Sequence, residues 1–300
     1  MFGSGVLENP ERAWVAAETT RAWDRAEVER RIGPCQQPLE RLDGGQANLN
    51  VRVGQAELLR IYRRDPSCAE KEARVLSMRW RSFRVPAVVA QGSDFLRLEY
   101  VPHSPLEPCA AHARALGQAL AEIHARTFAQ SGELGADLSV RLPFDDFVDA
   151  LTSYAERSLA SSELSNARDL APSVRRFFDR HRSALRDSAG PSVLLHGDFK
   201  VSNLHWAGDR LLVLDWEFCY AGSALMDIGQ LLRWALPDEF VAEFAAAYRE
   251  SGGRLEPNFR AASQRFDLVN LAGLLHGATA GSQRERDVSE RIRRTLTESS

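Results

Sequence analysis

The main change in the pattern of apolar residues along this 300-residue chain falls at the Pro-His-Ser-Pro segment of residues 102–105. Before it, short runs alternate between apolar and polar residues around Gly45 and Gly54, a pattern typical of β-hairpins. After it, apolar residues recur mostly at three- and four-residue intervals, which favours helices. We therefore expect a β-rich part over residues 1–101 and a mainly helical part over residues 102–300.

The first part is expected to contain a five-stranded antiparallel sheet with one inserted helix. Amphipathic spacing predicts one or two helices within residues 11–31 and another over residues 66–80, where Pro66 suits a first helical turn. Period-two alternation predicts the strands, which are residues 38–42, 49–53, 57–62, 87–90 and 95–101. The predicted order is therefore three strands, a helix and two strands.

The second part is expected to be helical apart from a short β insertion. Helices are predicted over residues 110–127, 144–159, 174–185 and from about residue 224 to the C-terminus. The insertion consists of two apolar runs, Val193–Leu195 and Leu211–Leu214, the second preceded by a Gly208-Asp209 turn. The fold class expected from these elements is α+β, with a small β-rich lobe, a hinge and a larger helical lobe.

Composition excludes several classes of protein. An apolar fraction of 44% and a charged fraction of 26% are typical of a globular domain. The net charge of -3 indicates no basic surface for nucleic acid, so we expect no nucleic-acid partner. The four cysteines form no paired motif, which favours a reducing, cytoplasmic location. No signal peptide or long apolar run is present, so no membrane association is expected.

The densest group of candidate catalytic residues lies around the β insertion. Asp198 and Asn203 are five positions apart, the offset between the base and the metal-binding asparagine of a kinase catalytic loop. Asp215 stands at the end of the next apolar run. Phosphoryl transfer needs a carboxylate that orients the attacking hydroxyl and oxygen ligands that hold Mg²⁺ against the phosphates. This pattern predicts Asp198 as the catalytic carboxylate and Asn203 with Asp215 as magnesium ligands.

Several cationic residues are candidates for contacting phosphate. The chain contains two lysines, and Lys200, two positions after Asp198, is expected to contact the γ-phosphate. Lys71 lies on the predicted helix, so Arg60, at the centre of the third strand, is expected to steer the other phosphates, with Glu72 as its ion-pair partner. The loop expected to fold over the phosphates contains Gly44, Gly45 and Asn48, since glycines allow close backbone approach.

Three segments resemble the aminoglycoside phosphotransferase and choline kinase family. Residues 196–203 resemble its H-G-D-x-x-x-x-N motif, residues 214–217 its metal-binding strand end, and residues 222–229 the segment whose aspartate supports the catalytic loop. The resemblance runs from about residue 39 to residue 233 and implies a protein-kinase-like, two-lobed fold. It also implies ATP or GTP as the phosphoryl donor and Mg²⁺ as the cofactor. By the same resemblance, His196 and Asp227 would support the loop, and the backbone of Glu99 and Val101 would bind the base. Glu217 would either be a further metal ligand or cap local backbone.

Three positions depart from the protein-kinase pattern. Arg60 replaces the usual strand lysine, and Trp216-Glu217 replaces Phe-Gly after the metal-binding aspartate. Gly197 replaces the arginine through which protein kinases sense activation-loop phosphorylation. The resemblance therefore implies an enzyme that is always active.

The sequence is compatible with more than one class of acceptor molecule. An aminoglycoside-type antibiotic is favoured, and a metabolic kinase for choline, a fructosamine or homoserine is the alternative. A catalytically inactive binding module is disfavoured because Asp198, Asn203 and Asp215 are all present. A cationic acceptor would be held by carboxylates of the helical lobe, for which the candidates are Asp145, Asp146, Asp149 and Asp267. The alternative for the first three is stabilisation of a helix N-terminus, and for Asp267 a solvated helix edge.

Overall fold

The computed structural model describes residues 5–7, 9–11, 13–14, 23–42 and 48–298, so Gly44 and Gly45 lie outside the described residues. Its strands are β1 Leu39–Arg41, β2 Asn48–Val53, β3 Glu57–Tyr62, β4 Phe83–Arg84, β5 Val88–Gln91, β6 Phe95–Glu99, β7 Ser104–Pro105, β8 Gly132–Leu134, β9 Val140–Pro143, β10 Ser192–Leu195, β11 Leu204–Ala207, β12 Arg210–Val213 and β13 Tyr220–Ser223. Its helices are α1 Arg25–Ile32, α2 Cys68–Leu76, α3 Ala110–His124, α4 Phe147–Ala160, α5 Ser165–Ala189, α6 Leu225–Leu231, α7 Asp238–Glu250, α8 Phe259–His276 and α9 Gln283–Glu298.

The predicted five-stranded sheet is present, with the strand order β1-β2-β3-β6-β5 and antiparallel pairing throughout. Its two faces pack against different partners. Leu59 and Ile61 of β3 are fully buried with Val28 of α1 in one apolar cluster. Because successive strand residues point to opposite faces, Arg60 and Tyr62 lie on the other side of the sheet, towards α2.

Helix α2 presents a buried face to the main core. Ala69, Ala73 and Leu76 are buried there, and Glu72 lies among them with 2% of its surface exposed. The helix ends at Leu76, before the predicted Trp80. Trp80 instead packs in a cluster of three rings with Phe83 and Trp216, whose centroids lie 4.7 and 5.6 Å from its own. Aromatic pairs of this kind contribute stability beyond the area that they bury.

Two further sheets connect the early and late parts of the chain. One has the order β4-β12-β11-β7, with β4 parallel to β12 and β7 antiparallel to β11. The other has the order β10-β13-β8-β9. They anchor both ends of the segment that carries the candidate catalytic residues. The sequence did not predict β4, β7, β8, β9, β11 or β13.

The starts of helices α4 and α5 also differ from the prediction. Helix α4 begins at Phe147 rather than residue 144, after Asp146, whose Oδ1 accepts a hydrogen bond from the Asp149 N–H. Helix α5 begins at Ser165 rather than near Val174 and continues through Pro172. A proline inside a helix removes one backbone hydrogen bond. The apolar face of α5, buried from Ala167 to Leu185, offsets that loss.

Within the described residues, none of the helices is long and apolar enough to cross a membrane. The order of elements places the five-stranded sheet before residue 100 and the long helices after residue 109. The lobe boundary at residues 101 and 102 stays a prediction.

Candidate active site

The candidate catalytic loop connects β10 to the 3₁₀ turn at Val201–Asn203. The Asn203 side-chain amide donates to the Asp198 carboxylate Oδ2 and to its backbone carbonyl, both at 2.9 Å. These contacts use the amide nitrogen of Asn203, so they do not require its Oδ1. The asparagine therefore orients the candidate base and still has an oxygen that could bind a metal.

Asp227 holds the start of this loop through backbone contacts. It is fully buried, and its two oxygens accept the N–H groups of His196 and Gly197 at 2.8 and 2.9 Å. Nε2 of His124 lies 3.2 Å from the same carboxylate. Charge-assisted hydrogen bonds from buried N–H groups are stronger than neutral ones, so this carboxylate fixes the loop firmly.

Gln230 supports the same loop and was missed in the sequence. Its Oε1 accepts the Phe199 N–H at 2.8 Å, and its Nε2 donates to the Gly197 carbonyl at 2.7 Å. Gln230 follows Asp227 by three positions on α6 and therefore lies on the same helix face. This three-residue spacing from Asp227 is the sequence feature that could have predicted the role of Gln230.

His196 connects the loop to the end of β12. Its Nε2 lies 2.9 Å from the carbonyl of Leu214, and its Nδ1 lies 3.2 Å from the backbone N–H of Asp198. The neutral tautomer with hydrogen on Nε2 satisfies both contacts. The histidine thus sets the spacing between Asp198 and the segment that carries Asp215.

Gly197 has a φ of +80°, and a Cβ placed on it would lie 2.3 Å from the carbonyl oxygen of Phe218. A side chain there would meet backbone that cannot move aside cheaply. The position therefore excludes the arginine through which protein kinases sense activation-loop phosphorylation.

Asp215 leaves the β12 strand direction through a φ of +70°, which is uncommon for a residue other than glycine. Its Oδ1 accepts a hydrogen bond from the Arg60 guanidinium. Burial alone would raise the pKa of the Asp215 carboxyl, but Arg60 outweighs burial and holds that pKa below its usual value. Asp215 is thus ionised, and its carboxylate is held next to Arg60 on β3. A metal bound to nucleotide phosphates would require such an anionic oxygen ligand.

Arg60 lies between three carboxylates. Its Nε is 3.3 Å from Glu72 and its terminal nitrogen is 3.7 Å from Glu217, in addition to the bond to Asp215. Glu72 is itself fixed, since its Oε2 accepts the Tyr62 hydroxyl at 2.5 Å. Burial opposes the charge of Arg60, but these carboxylates raise its pKa well above the ordinary value.

Glu217 is 5% exposed and accepts a hydrogen bond from the Asn48 amide at 2.7 Å. Burial and the neighbouring charge of Asp215 raise the pKa of the Glu217 carboxyl. Asn48, predicted as part of the loop that covers the phosphates, is the first residue of β2. Its side chain therefore connects the start of β2 to the segment following Asp215.

Lys200 lies between two carboxylates, with its Nζ 3.1 Å from Asp198 and 3.2 Å from Glu11. Burial disfavours its charge, but these two groups raise its pKa above the ordinary value. Glu11 was not predicted, because nothing in the local pattern marks it. The other lysine, Lys71, donates a hydrogen bond to the Cys219 carbonyl at 3.0 Å.

The chemistry of the available ligands fits Mg²⁺. Among the described residues, no group of three or more His, Cys, Asp or Glu side chains is arranged to hold a metal by itself. A magnesium ion shared with nucleotide phosphates needs fewer protein ligands, because phosphate and water oxygens complete its shell. Asn203 and Asp215 supply hard oxygens of the required kind. Glu217 already accepts from Asn48 and lies 3.6 Å from the Arg64 guanidinium, so its role as a ligand stays a prediction.

The predicted base-binding backbone follows the end of β6. Within the described part of the chain, no group accepts a hydrogen bond from the Val101 N–H, and the Val101 carbonyl accepts from His103 at 2.7 Å. The Glu99 side chain bonds to Arg84. Binding of the nucleotide base by this backbone stays a prediction.

The four candidate acceptor carboxylates do not form one group. Asp146 accepts from Arg186 at 3.0 Å, and Asp149 bonds to Arg182 and Arg186, which lie on α5. Asp267 is 2% exposed, and both its oxygens accept from Arg233, at 2.9 and 2.8 Å. Asp145 is exposed. Three of the four thus already have arginine partners.

Comparison with solved structures shows the same fold in small-molecule kinases. The macrolide 2′-phosphotransferase MphH of Brachybacterium faecium is 21% identical, covers 89% of this chain and 96% of its own, and gives a TM-score of 0.62. A choline/ethanolamine kinase family protein of Mesorhizobium loti is 23% identical over 91% of this chain and 93% of its own, with a TM-score of 0.65.

The protein chain in the structure of the streptomycin–ATP–APH(2″)-IIa ternary complex is 17% identical to this chain. The match covers 92% of this chain and 98% of that one, with a TM-score of 0.66. A comparison with curated protein sequences finds no match. The family model described as the phosphotransferase enzyme family (APH) matches residues 38–263, which contain the whole catalytic loop, Arg60 and Asp215. The chain belongs to this phosphotransferase enzyme family and is a small-molecule phosphotransferase with a protein-kinase-like fold.

Proposed function

We propose that this protein transfers the γ-phosphoryl group of ATP or GTP to a hydroxyl of a small molecule, with Asp198 as the catalytic carboxylate. One observation carries the proposal. The Asp198 carboxylate is oriented by Asn203 and contacts Lys200, in a loop fixed to Asp227. Such a carboxylate, placed beside a lysine and beside an asparagine that is predicted to bind the metal, is suited to orienting an attacking hydroxyl.

In the proposed reaction, the hydroxyl donates a hydrogen bond to Asp198, and its oxygen attacks the γ-phosphorus. The bond from that phosphorus to the β–γ bridging oxygen breaks, and a nucleoside diphosphate leaves. The hydroxyl proton passes to the Asp198 carboxylate. Lys200 stabilises charge on the transferred group. Positioning and charge stabilisation supply most of the acceleration in reactions of this kind.

Arg60 is proposed to exchange partners when nucleotide binds. Its guanidinium contacts Asp215 and Glu72 in the structure. The nucleotide phosphates would replace Asp215 as one of its ion-pair partners. Asp215 would then become free for metal, while Glu72, fixed by Tyr62, would keep the guanidinium aligned. When bound, Mg²⁺ would be held by Asn203 and Asp215 and would neutralise charge on the phosphates.

The favoured acceptor remains an aminoglycoside-type cation, and resistance to such an antibiotic would follow from it. One observation favours the second candidate, a metabolic kinase for a small alcohol of the choline, fructosamine or homoserine type. Asp146, Asp149 and Asp267 are bonded to arginines, which removes much of the negative charge that would attract a polycation. The cytoplasmic location stays a prediction.

A nucleotide-consumption screen tests the proposal. Wild-type protein and the Asp198→Asn variant are incubated with ATP or GTP, Mg²⁺ and panels of aminoglycosides, amino alcohols and sugars. We expect at least one panel to raise nucleotide consumption in the wild type and not in the variant. A phosphorylated product detected by mass spectrometry identifies the acceptor. Equal consumption by both proteins in every panel would contradict the proposal.

A further inference from the structure

The described residues between positions 5 and 14 contact the rest of the protein at several points, one of which is the catalytic loop. Leu7 is buried in the main core, and its N–H donates to the Leu106 carbonyl at 2.9 Å. Trp14 is 5% exposed, donates to Asp287 at 2.8 Å and meets the edge of Trp234 at 5.8 Å. These anchors lie before residue 38, where the match to the family model begins.

Glu11 is the residue of this segment that reaches the loop. Its Oε1 accepts from Arg233 at 2.9 Å and from the Trp234 indole at 3.0 Å. Its Oε2 lies 3.2 Å from the Lys200 ammonium, and the residue is 5% exposed. Burial opposes the charge, but Lys200 and Arg233 lower the pKa of Glu11 to about 2, so it is ionised at neutral pH.

The surrounding charges form an alternating chain of acids and bases. Asp267 binds Arg233 through two hydrogen bonds, Arg233 binds Glu11, and Lys200 lies between Glu11 and Asp198. Arg233 is already neutralised by Asp267, so Glu11 is not needed for that purpose. The Glu11 carboxylate is instead the second anion next to Lys200, after Asp198.

We propose that Glu11 is a positioning residue of the active site, supplied by the segment before the family-matched region, which holds the Lys200 ammonium in place for the γ-phosphate. With two carboxylate partners, Lys200 stays anchored when Asp198 turns to the attacking hydroxyl. Without Glu11, Lys200 would pair with Asp198 alone and occupy the carboxylate that the hydroxyl needs. This inference rests on the proposed function.

The kinetic test uses the full-length protein and nucleotide hydrolysis, in which water replaces the unidentified acceptor. Water attacks the γ-phosphorus, the bond to the bridging oxygen breaks, and the products are nucleoside diphosphate, phosphate and a proton. Glu11→Gln keeps acceptors for Arg233 and Trp234 but removes the charge beside Lys200. We expect kcat to fall about tenfold, in keeping with loss of one charge-assisted contact, and the nucleotide KM to change less than about twofold.

The matched control is Asp287→Asn. It removes one negative charge and weakens the anchor of Trp14 on the same segment without touching Glu11. We expect this variant to lower the melting temperature and to keep kcat. Equal losses of kcat in the two variants would show that Glu11 serves only to anchor the segment, which overturns the inference.

A second readout does not depend on turnover. The chain has two lysines, so acylation by a mild amine reagent, followed by mass spectrometry, reports Lys200 with Lys71 as the internal standard. Glu11→Gln is expected to speed acylation of Lys200 severalfold and leave Lys71 unchanged. An unchanged rate at Lys200, or an unchanged kcat, overturns the inference alone. Wild-type protein without Asp198-dependent nucleotide turnover overturns the proposed function and the inference together.

Discussion

Asp215 combines a left-handed backbone with a direct bond to Arg60. Such a conformation costs about 1–3 kcal/mol in a residue other than glycine and persists where the surroundings impose it. Here the surroundings are the end of β12 and the arginine on β3. The geometry turns the carboxylate out of the strand direction, which a regular continuation of β12 would not do. Strain at this position is therefore part of how the candidate metal site is built.

Replacing Asp215 with alanine should weaken nucleotide binding chiefly in the presence of Mg²⁺, because the variant loses a metal ligand. Glu72→Ala should weaken binding less, and to a similar extent with and without Mg²⁺, because Glu72 acts on Arg60. Titration of both variants with nucleotide, with Mg²⁺ or with a chelator, distinguishes these effects. Equal binding of nucleotide and Mg²⁺ by wild-type protein and Asp215→Ala would refute the metal assignment.

Glu11 should make stability depend on pH. Its pKa is lowered from 4.5 to about 2, so its contribution is present above about pH 4.5 and lost as the pH falls towards 2. A shift of this size corresponds to roughly 3 kcal/mol. Between pH 6 and pH 3, the free energy of unfolding should therefore fall more steeply in wild-type protein than in Glu11→Gln. Parallel curves from urea denaturation would show that the folded protein does not lower the pKa of Glu11.

At the scale of elements, α6 determines where the catalytic loop lies. Asp227 and Gln230 together bond to the backbone of His196, Gly197 and Phe199. Because both residues belong to one short buried helix, the loop is held as a unit. A change in α6 should therefore affect both stability and catalysis, although α6 contributes no group to the reaction.

Asp227→Asn should destabilise the protein by about 2–3 kcal/mol, because an amide cannot accept from both buried N–H groups as the carboxylate does. Turnover should fall as the loop loses its alignment. Asp238→Asn is the control, since Asp238 makes an exposed ion pair with Arg260, and such pairs contribute about 0–1 kcal/mol. Urea denaturation compares the variants. Similar losses in both would show that Asp227 does not support the loop.

The sequence predicted some elements well because their signals are local. The five-stranded sheet and α2 follow from alternation and helical spacing within single segments. Strand β4 has two residues and pairs with Leu211 and Leu212, so its own sequence contains no sufficient signal. Helix α5 was predicted too short, over residues 174–185, whereas in the structure it continues through Pro172 with its apolar face buried.

At the scale of the whole molecule, the candidate site is assembled from distant parts of the chain. Arg60 reaches Asp215 across 155 positions, and Arg233 reaches Glu11 across 222. Spacing within the motif predicted Asp198, Asn203 and Asp215 as candidates. The contact of Glu11 could not be predicted, because it depends on where the N-terminal segment docks. The arginine partners of Asp146 and Asp149 were missed for the same reason, since they come from α5.

Asp145 is the exposed member of the candidate acceptor residues, so it tests the charge of the acceptor. If the acceptor is cationic, Asp145→Asn should raise its KM up to about fivefold, the range of an exposed ion pair, and leave the nucleotide KM unchanged. Asp169→Asn, on α5, removes another exposed charge as the control. An acceptor KM that is unchanged, or equally raised in both variants, would place the acceptor elsewhere.

Asp198 is proposed as the base for phosphoryl transfer, and the Asp198→Asn variant removes the proton-accepting carboxylate while keeping the shape of the side chain. Turnover is measured by the release of nucleoside diphosphate, and nucleotide binding is measured separately by titration. We predict that turnover falls by roughly two to four orders of magnitude, the span for loss of a positioned base, while nucleotide affinity stays near that of the wild type. A variant that binds nucleotide normally and keeps near-full turnover would show that Asp198 is not the base.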